Sequence, residues 1–311
     1  MAAADFRDRL LAGLGGDWPE PCPLNATILK TEKKEGYRIE TLRYDAEPDD
    51  AIPALLLVPD GATPSKPAAA ICIWHQHAGQ WHLGKTEPAG LAGNPMHHTG
   101  AALAREGYVV LCPDALGFEE REKPYKLKGR NLERFLFLKY VVNGKCMAWK
   151  NILDMKRAVD YVVSRPEVDA DHIGCYGHSM GSTHMWLVGP WEPRLKALVG
   201  NCCLPTYKGI HDNHLLHCFP NFVPGVLPHG DTPDIAALIA PRPLHMNFGE
   251  TDGGSPIDEV RRGMKVIARA YQAQHAEKNF SHYIEEGSGH LLSDRMWELT
   301  REFFSRHLNK G

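Results

Sequence analysis

The stretch Ile173-Gly174-Cys175-Tyr176-Gly177-His178-Ser179-Met180-Gly181 decides how this chain folds. An apolar run of strand character leads into Gly-His-Ser-Met-Gly, and residues 182–188 can continue as a helix. A serine set in a sharp turn between strand and helix has a strained backbone and an exposed hydroxyl. The residues two before and two after it must lack side chains, so that strand and helix can pass closely. Glycine stands at both places, Gly177 and Gly181. A bare Gly-x-Ser-x-Gly arises by chance in roughly one chain in ten of this length, so the flanks carry the reading. They outweigh the plainer alternative, a glycine-rich loop after a buried strand.

Outward from this turn, short apolar runs alternate with amphipathic helical stretches, which predicts a mostly parallel sheet covered on both faces. The runs are residues 68–74, 108–113, 172–176, 195–202, 243–248 and 279–285. Residues 149–163 place Ile152, Met155, Val159 and Val162 on one helical face, Ser255-Pro256 opens a helix as cap and first residue, and residues 296–308 form a last helix. Residues 27–33, 38–44 and 52–58 read as antiparallel strands that extend the same sheet. No boundary divides the chain, so residues 1–311 are expected to form one domain with an N-terminal arm over 1–26. Two long irregular segments, 114–145 and 204–231, follow core strands. Ligands of open α/β sheets bind beyond the carboxyl ends of strands, so both are candidate pocket walls.

With 43% hydrophobic and 23% charged residues, the composition is that of a soluble globular protein. A net charge of −3 without a long Lys/Arg run gives no footprint for nucleic acid or membrane, and leaves a small, neutral or weakly polar substrate. Charges at Asp5, Arg7, Asp8 and Arg9 interrupt the apolar core a signal peptide needs, and no segment approaches a membrane span; the expected location is cytoplasmic. Of the eight cysteines, Cys72, Cys112 and Cys175 lie in strand-like runs, so reduced thiols are expected. Asn25-Ala26-Thr27 fits a glycosylation acceptor only by coincidence in such a setting.

A serine hydroxyl needs a base to take its proton and an acid to hold that base in the right tautomer. In this strand–turn–helix setting the order along the chain is serine, acid, histidine. Residues 244–248 read as a strand ending in Gly249-Glu250-Thr251-Asp252-Gly253-Gly254, which makes Asp252 the first choice of acid and Glu250 the second. Asp258 falls in the following helix. The next strand runs into Glu286-Gly287-Ser288-Gly289-His290, so His290 is the expected base and His282, inside the strand, a structural residue. Two N–H groups should hold the oxyanion. Met180, after the nucleophile, supplies one, and the loop after the 68–74 strand supplies the other, from His77 or alternatively Gln76.

These motifs, together with Gly107 to Asp114 (GYVVLCPD), Arg165-Pro166-Glu167-Val168-Asp169 and Ile239-Ala240-Pro241-Arg242-Pro243, resemble the dienelactone hydrolase-like and acetyl xylan esterase-like group of the α/β-hydrolases, over roughly residue 27 to the C-terminus. The resemblance implies an α/β-hydrolase fold with an eight-stranded sheet, and ester or related acyl hydrolysis without a cofactor. Many members carry His-Gly-aromatic in the oxyanion loop, where this chain has His75-Gln76-His77. Serine also stands where dienelactone hydrolases carry a cysteine nucleophile, so their substrate is not carried over.

The 17 histidines include two groups, His75, His77, His82, His97 and His98, and His211, His214 and His217. No carboxylate or cysteine pattern completes either, and no metal is expected. Tyr207, Phe219 and Phe222 in the second insertion are candidate substrate-binding residues, with Trp186 between that role and the core. Lys85, Glu87 and Arg121 are expected to be solvated charges. The expected activity is cleavage of small carboxylic esters by Ser179, His290 and Asp252. A carbon–carbon bond hydrolase on the same triad and a non-catalytic receptor on the same fold are the alternatives.

Overall fold

Each apolar run becomes a strand of one sheet in the computed structural model, which describes residues 3–308 and thus leaves the first two and last three residues of the expected domain outside. The strands are β1 (Thr27–Lys34), β2 (Tyr37–Glu47), β3 (Asp50–Pro59), β4 (Ala68–Trp74), β5 (Val109–Pro113), β6 (Val168–His178), β7 (Leu195–Asn201), β8 (Leu244–Gly249) and β9 (Phe280–Glu285). Their order is β1-β2-β3-β5-β4-β6-β7-β8-β9. Pairing is antiparallel from β1 through β3 to β5 and parallel from β5 to β9. Among the described residues the sheet thus has nine strands, where the resemblance implied eight. The additional one is β1, a largely exposed edge strand held on β2 from Thr27 opposite Arg43 to Lys34 opposite Tyr37.

The helices are α1 (Ala3–Leu14), α2 (Thr99–Arg105), α3 (Gly129–Val142), α4 (Met147–Val163), α5 (Met180–Val188), α6 (Tyr207–Asp212), α7 (Thr232–Ala237), α8 (Ile257–Ala273) and α9 (Asp294–Leu308). One face of the sheet is covered by α1, α4, α5, α7 and α8, through Leu10, Ile152, Met185, Ile235 and Ile267. The other is covered by α2 and α9, through Leu103, Met296 and Phe304. All six residues of β8 are buried, as befits a parallel strand with helices on both sides. The α8 helix begins one residue later than expected, with Pro256 as its N-cap.

Three expectations need correction. The N-terminal arm contains a packed helix, since Phe6, Leu10 and Leu14 recur at a spacing of four and are all buried in the core. Neither insertion is wholly irregular: segment 114–145 carries α3, whose inner face is only Leu132, Glu133 and Leu136, and segment 204–231 carries α6. Lys85, Glu87 and Arg121 are buried rather than solvated. The Lys85 ammonium meets Asp114 at 2.8 Å, Glu119 at 2.7 Å and Glu120 at 2.7 Å. Arg121 binds both oxygens of Asp50 at 3.1 Å and Asp154 at 2.5 Å. Burial of a charge is tolerable only with such partners. The first network fastens the segment after β5 to the loop after β4, and the second fastens it to β3 and α4.

The chain leaves β4 for β5 on one side and returns to β6 on the other. That reversal opens a crevice between the loops after β4 and β6, where open α/β sheets bind ligands.

Candidate active site

Ser179 has φ 57° and ψ −117°, a strained conformation for a residue with a side chain. The turn holds because its neighbours leave no alternative. A Cβ on Gly177 would lie 2.0 Å from the Gly181 carbonyl oxygen, and one on Gly181 would lie 1.8 Å from that of Trp74. The Ser179 N–H also donates to the Asn201 carbonyl at the end of β7, at 2.8 Å. The hydroxyl is thereby presented above the sheet's carboxyl edge.

From there a continuous chain of hydrogen bonds runs across the loops after β6, β9 and β8. Ser179 Oγ is 2.9 Å from His290 Nε2, and His290 Nδ1 is 2.7 Å from Asp252 Oδ2. With Nδ1–H donating to the carboxylate, Nε2 is left with the lone pair that a serine proton requires. Asp252 is buried, and its Oδ1 accepts from the Gly254 N–H at 2.9 Å. Glu250, the second choice of acid, is turned to Arg261 at 3.1 Å and the Gly287 N–H at 3.2 Å. Asp258 is exposed beside Arg261, and His282 stacks on Phe280 in β9. The acid and base loops touch through backbone: a Cβ on Gly249 would lie 2.0 Å from the Gly289 carbonyl oxygen.

The loop after β4 lies against the turn, since Gly181 packs on Trp74. Its side chains are all tied elsewhere. His75 donates from Nδ1 to the Gln76 carbonyl at 2.8 Å and accepts the Ala115 N–H at 3.0 Å; Gln76 donates to Glu87 at 2.8 Å. The Gly79 N–H donates to His77 Nδ1 at 2.9 Å, so the His77 proton sits on Nε2 and is given to Glu133 Oε2 at 2.9 Å. Burial disfavours a second proton on this ring and the neighbouring Cys218 and Glu133 favour it, but the Gly79 N–H needs the Nδ1 lone pair, which an imidazolium would not offer. That hydrogen bond fits the neutral ring. Glu133 also accepts from Trp81 Nε1 at 3.3 Å and from the Phe219 N–H at 3.2 Å, so one buried carboxylate ties the β4 loop, α3 and the second insertion together. Among the described residues no acceptor takes the N–H of Gln76 or His77. Met180 opens α5, where an N–H lacks an intrahelical acceptor and the helix dipole favours negative charge.

The histidine groups do not converge. His98 Nε2 bonds to the Ala92 carbonyl, His211 and His214 are exposed, and His217 Nε2 donates to the Gly254 carbonyl at 2.7 Å, latching the second insertion onto the acid loop. A carboxylate and a thiol do come close to His77, from Glu133 and Cys218, which spacing along the chain gave no means to see. The His77 Nε2–H that bonds Glu133 leaves that nitrogen no lone pair for a metal. His178 and His97 form a row with His290, with ring centroids 4.6 Å and 5.3 Å apart. Burial, and then the neighbouring imidazoles, hold His178 well below the usual histidine range, and its Nδ1 accepts from Asn201 at 2.7 Å.

A family model described as "Abhydrolase family" matches residues 18–289. The chain belongs to the abhydrolase family. A relative from Bacillus subtilis (strain 168), named "putative hydrolase YtaP", is 30% identical over 290 residues, covering 92% of this chain and 93% of its own. Solved structures of similar fold include a "putative acetyl xylan esterase" from Bacteroides fragilis NCTC 9343 (TM-score 0.71, 18% identity, 100% of this chain and 85% of the other). They also include a glucuronoyl esterase from Solibacter usitatus (TM-score 0.68, 17% identity, 96% and 91%). At such identities these two attest the fold.

In this abhydrolase, the three aromatic candidates separate. Tyr207 is a core residue: it is buried, its hydroxyl donates to the Asn221 carbonyl at 2.7 Å and accepts the Val223 N–H at 3.1 Å, and Phe222 stacks on it. Phe219 is half-buried against Phe137 of α3. Trp186 is fully buried, its indole N–H given to the Cys203 carbonyl. Among the described residues no helix is long and apolar enough to cross a membrane.

Proposed function

We propose that this abhydrolase is a serine esterase that cleaves small carboxylic esters through an acyl-enzyme. The observation that carries the reading is the unbroken Ser179–His290–Asp252 hydrogen-bond chain, at 2.9 Å and 2.7 Å, beside two loops with N–H groups to spare. Ser179 Oγ attacks the ester carbonyl carbon while His290 Nε2 takes its proton, and the carbonyl oxygen becomes an oxyanion held by the N–H groups of Met180 and His77. Asp252 stabilises the imidazolium. Collapse of the tetrahedral intermediate breaks the bond to the alcohol oxygen, which leaves with the proton from Nε2. Water then repeats the sequence in reverse roles and releases the carboxylic acid. No step calls on a cofactor.

The names of the solved relatives, acetyl xylan and glucuronoyl esterases, support carboxylic esters as the substrate class and admit acylated saccharides. Eight unpaired cysteines support a reducing, cytoplasmic location. The test is a fluorophosphonate probe followed by a rate series on p-nitrophenyl esters of rising chain length and on acetylated saccharides. Covalent labelling of Ser179 with turnover of short esters is expected; an unlabelled serine in folded protein would point to a receptor on the fold.

A further inference from the structure

The net charge of −3 conceals a segregated surface. Between residues 123 and 142 the cations Lys123, Lys126, Lys128, Arg130, Arg134 and Lys139 are all exposed, while the only acid of the segment, Glu133, is buried. None of the six takes part in an ion pair among the described residues; Lys128 bonds only to backbone carbonyls. On α3, Phe135, Leu138 and Val142 follow one another at spacings of three and four, so they form one stripe along the helix. They are 45%, 49% and 80% exposed. The stripe points away from the inner face of Leu132 and Leu136, with Arg134 on one flank and Lys139 on the other. Leu127, just before the helix, and Leu216, at the tip of the adjoining insertion, are exposed too.

We propose that the outer face of α3, with the loop that leads into it, docks on an anionic lipid surface. An apolar stripe flanked by cations is what a helix lying in a membrane interface presents: the apolar side chains enter the boundary of headgroup and acyl chain, and the lysines and arginines meet phosphate. A soluble acidic polymer would use the cations but leave Phe135, Leu138 and Val142 in water. A second copy joined face to face would bring six like charges against six, with no exposed acid within residues 123–142 to separate them. The inner face of the same helix carries Glu133, so the docked surface would lie about one helix diameter, roughly 10 Å, from the His77 loop. The inference does not depend on the esterase reading.

Sedimentation of the full-length protein with phosphatidylcholine vesicles, and with vesicles of phosphatidylcholine and phosphatidylglycerol in equal parts, tests it. Binding to the anionic vesicles should exceed that to the neutral ones by about 10-fold or more and weaken with added salt. Two variants should each lose most of it: Phe135→Ser with Leu138→Ser and Val142→Ser, and Lys126→Glu with Arg130→Glu and Arg134→Glu. Both should keep their circular dichroism and their turnover of a soluble short ester. Absence of preferential binding to anionic vesicles overturns the proposal. So does loss of binding in the charge variant alone together with equal competition by a soluble polyuronate, which identifies an acidic polymer as the occupant. A doubled mass in light scattering, reverted by the serine variant in protein that ignores vesicles, overturns it in favour of self-association.

Discussion

Glu133 of α3 holds the imidazole of His77 at 2.9 Å, and with the same carboxylate it receives the Trp81 indole and the Phe219 amide. It lies outside the proposed triad; under the proposed mechanism it positions the loop whose N–H would hold the oxyanion. Glu133→Gln should lower kcat by about 10²-fold with little change in KM, since a displacement of about 1 Å at such a site costs that much. Affinity for a boronic acid that mimics the tetrahedral intermediate should fall in parallel. An unchanged kcat with a lowered Tm would reduce Glu133 to a structural clamp.

Ser179→Ala and His290→Ala should each reduce ester turnover by several orders of magnitude, and the double variant by little more, because triad members act as a unit. Circular dichroism should stay the same. Retention of more than about a tenth of the wild-type rate in Ser179→Ala would remove the serine mechanism.

Asp252→Asn leaves the geometry but deprives His290 of the partner that fixes its tautomer, a change that costs about 10⁴-fold in the protease that serves as the reference case. Glu250→Gln should change the rate by less than a few fold, since Glu250 is engaged with Arg261 and Gly287. Rates of the two variants on one ester decide it, and the opposite ranking would transfer the role to Glu250.

Phe219 and Tyr207 should answer differently to substitution. Phe219→Ala opens a half-buried contact with Phe137 and should alter the ratio of kcat/KM between short and longer esters by about 10-fold. Tyr207→Phe leaves the Asn221 carbonyl and the Val223 N–H without their partner, which costs about 1–3 kcal/mol of stability. The expected readout is a lower melting temperature with the ester preference intact.

The strands were legible because buried parallel strands must be apolar on both faces, so β4 and β8 stand out as uninterrupted runs. That Ser179, Asp252 and His290 would converge was legible because each follows such a run in a glycine-containing turn. The helix α3 was not: four of its apolar residues, Phe135, Leu138, Val141 and Val142, face solvent, and mixing them with the buried Leu132 and Leu136 erases the period that marks a core helix. Nor could sequence reveal that Lys85 and Arg121 are interior, since burial of a charge depends on carboxylates brought from elsewhere in the chain. Glu133 is separated from His77 by 56 positions and gave no local signal.

The contact of Gly249 with the Gly289 carbonyl sets the spacing of acid and base by main chain against main chain. The proposed triad is therefore gauged like a fixed jig, set by backbone rather than by side chains. Under the proposed function, substrate preference would reside where no such gauge exists, in segments 114–145 and 204–231. Transplanting either segment between relatives should carry substrate preference with it, whereas a single methyl group on Gly249 would throw the whole alignment out.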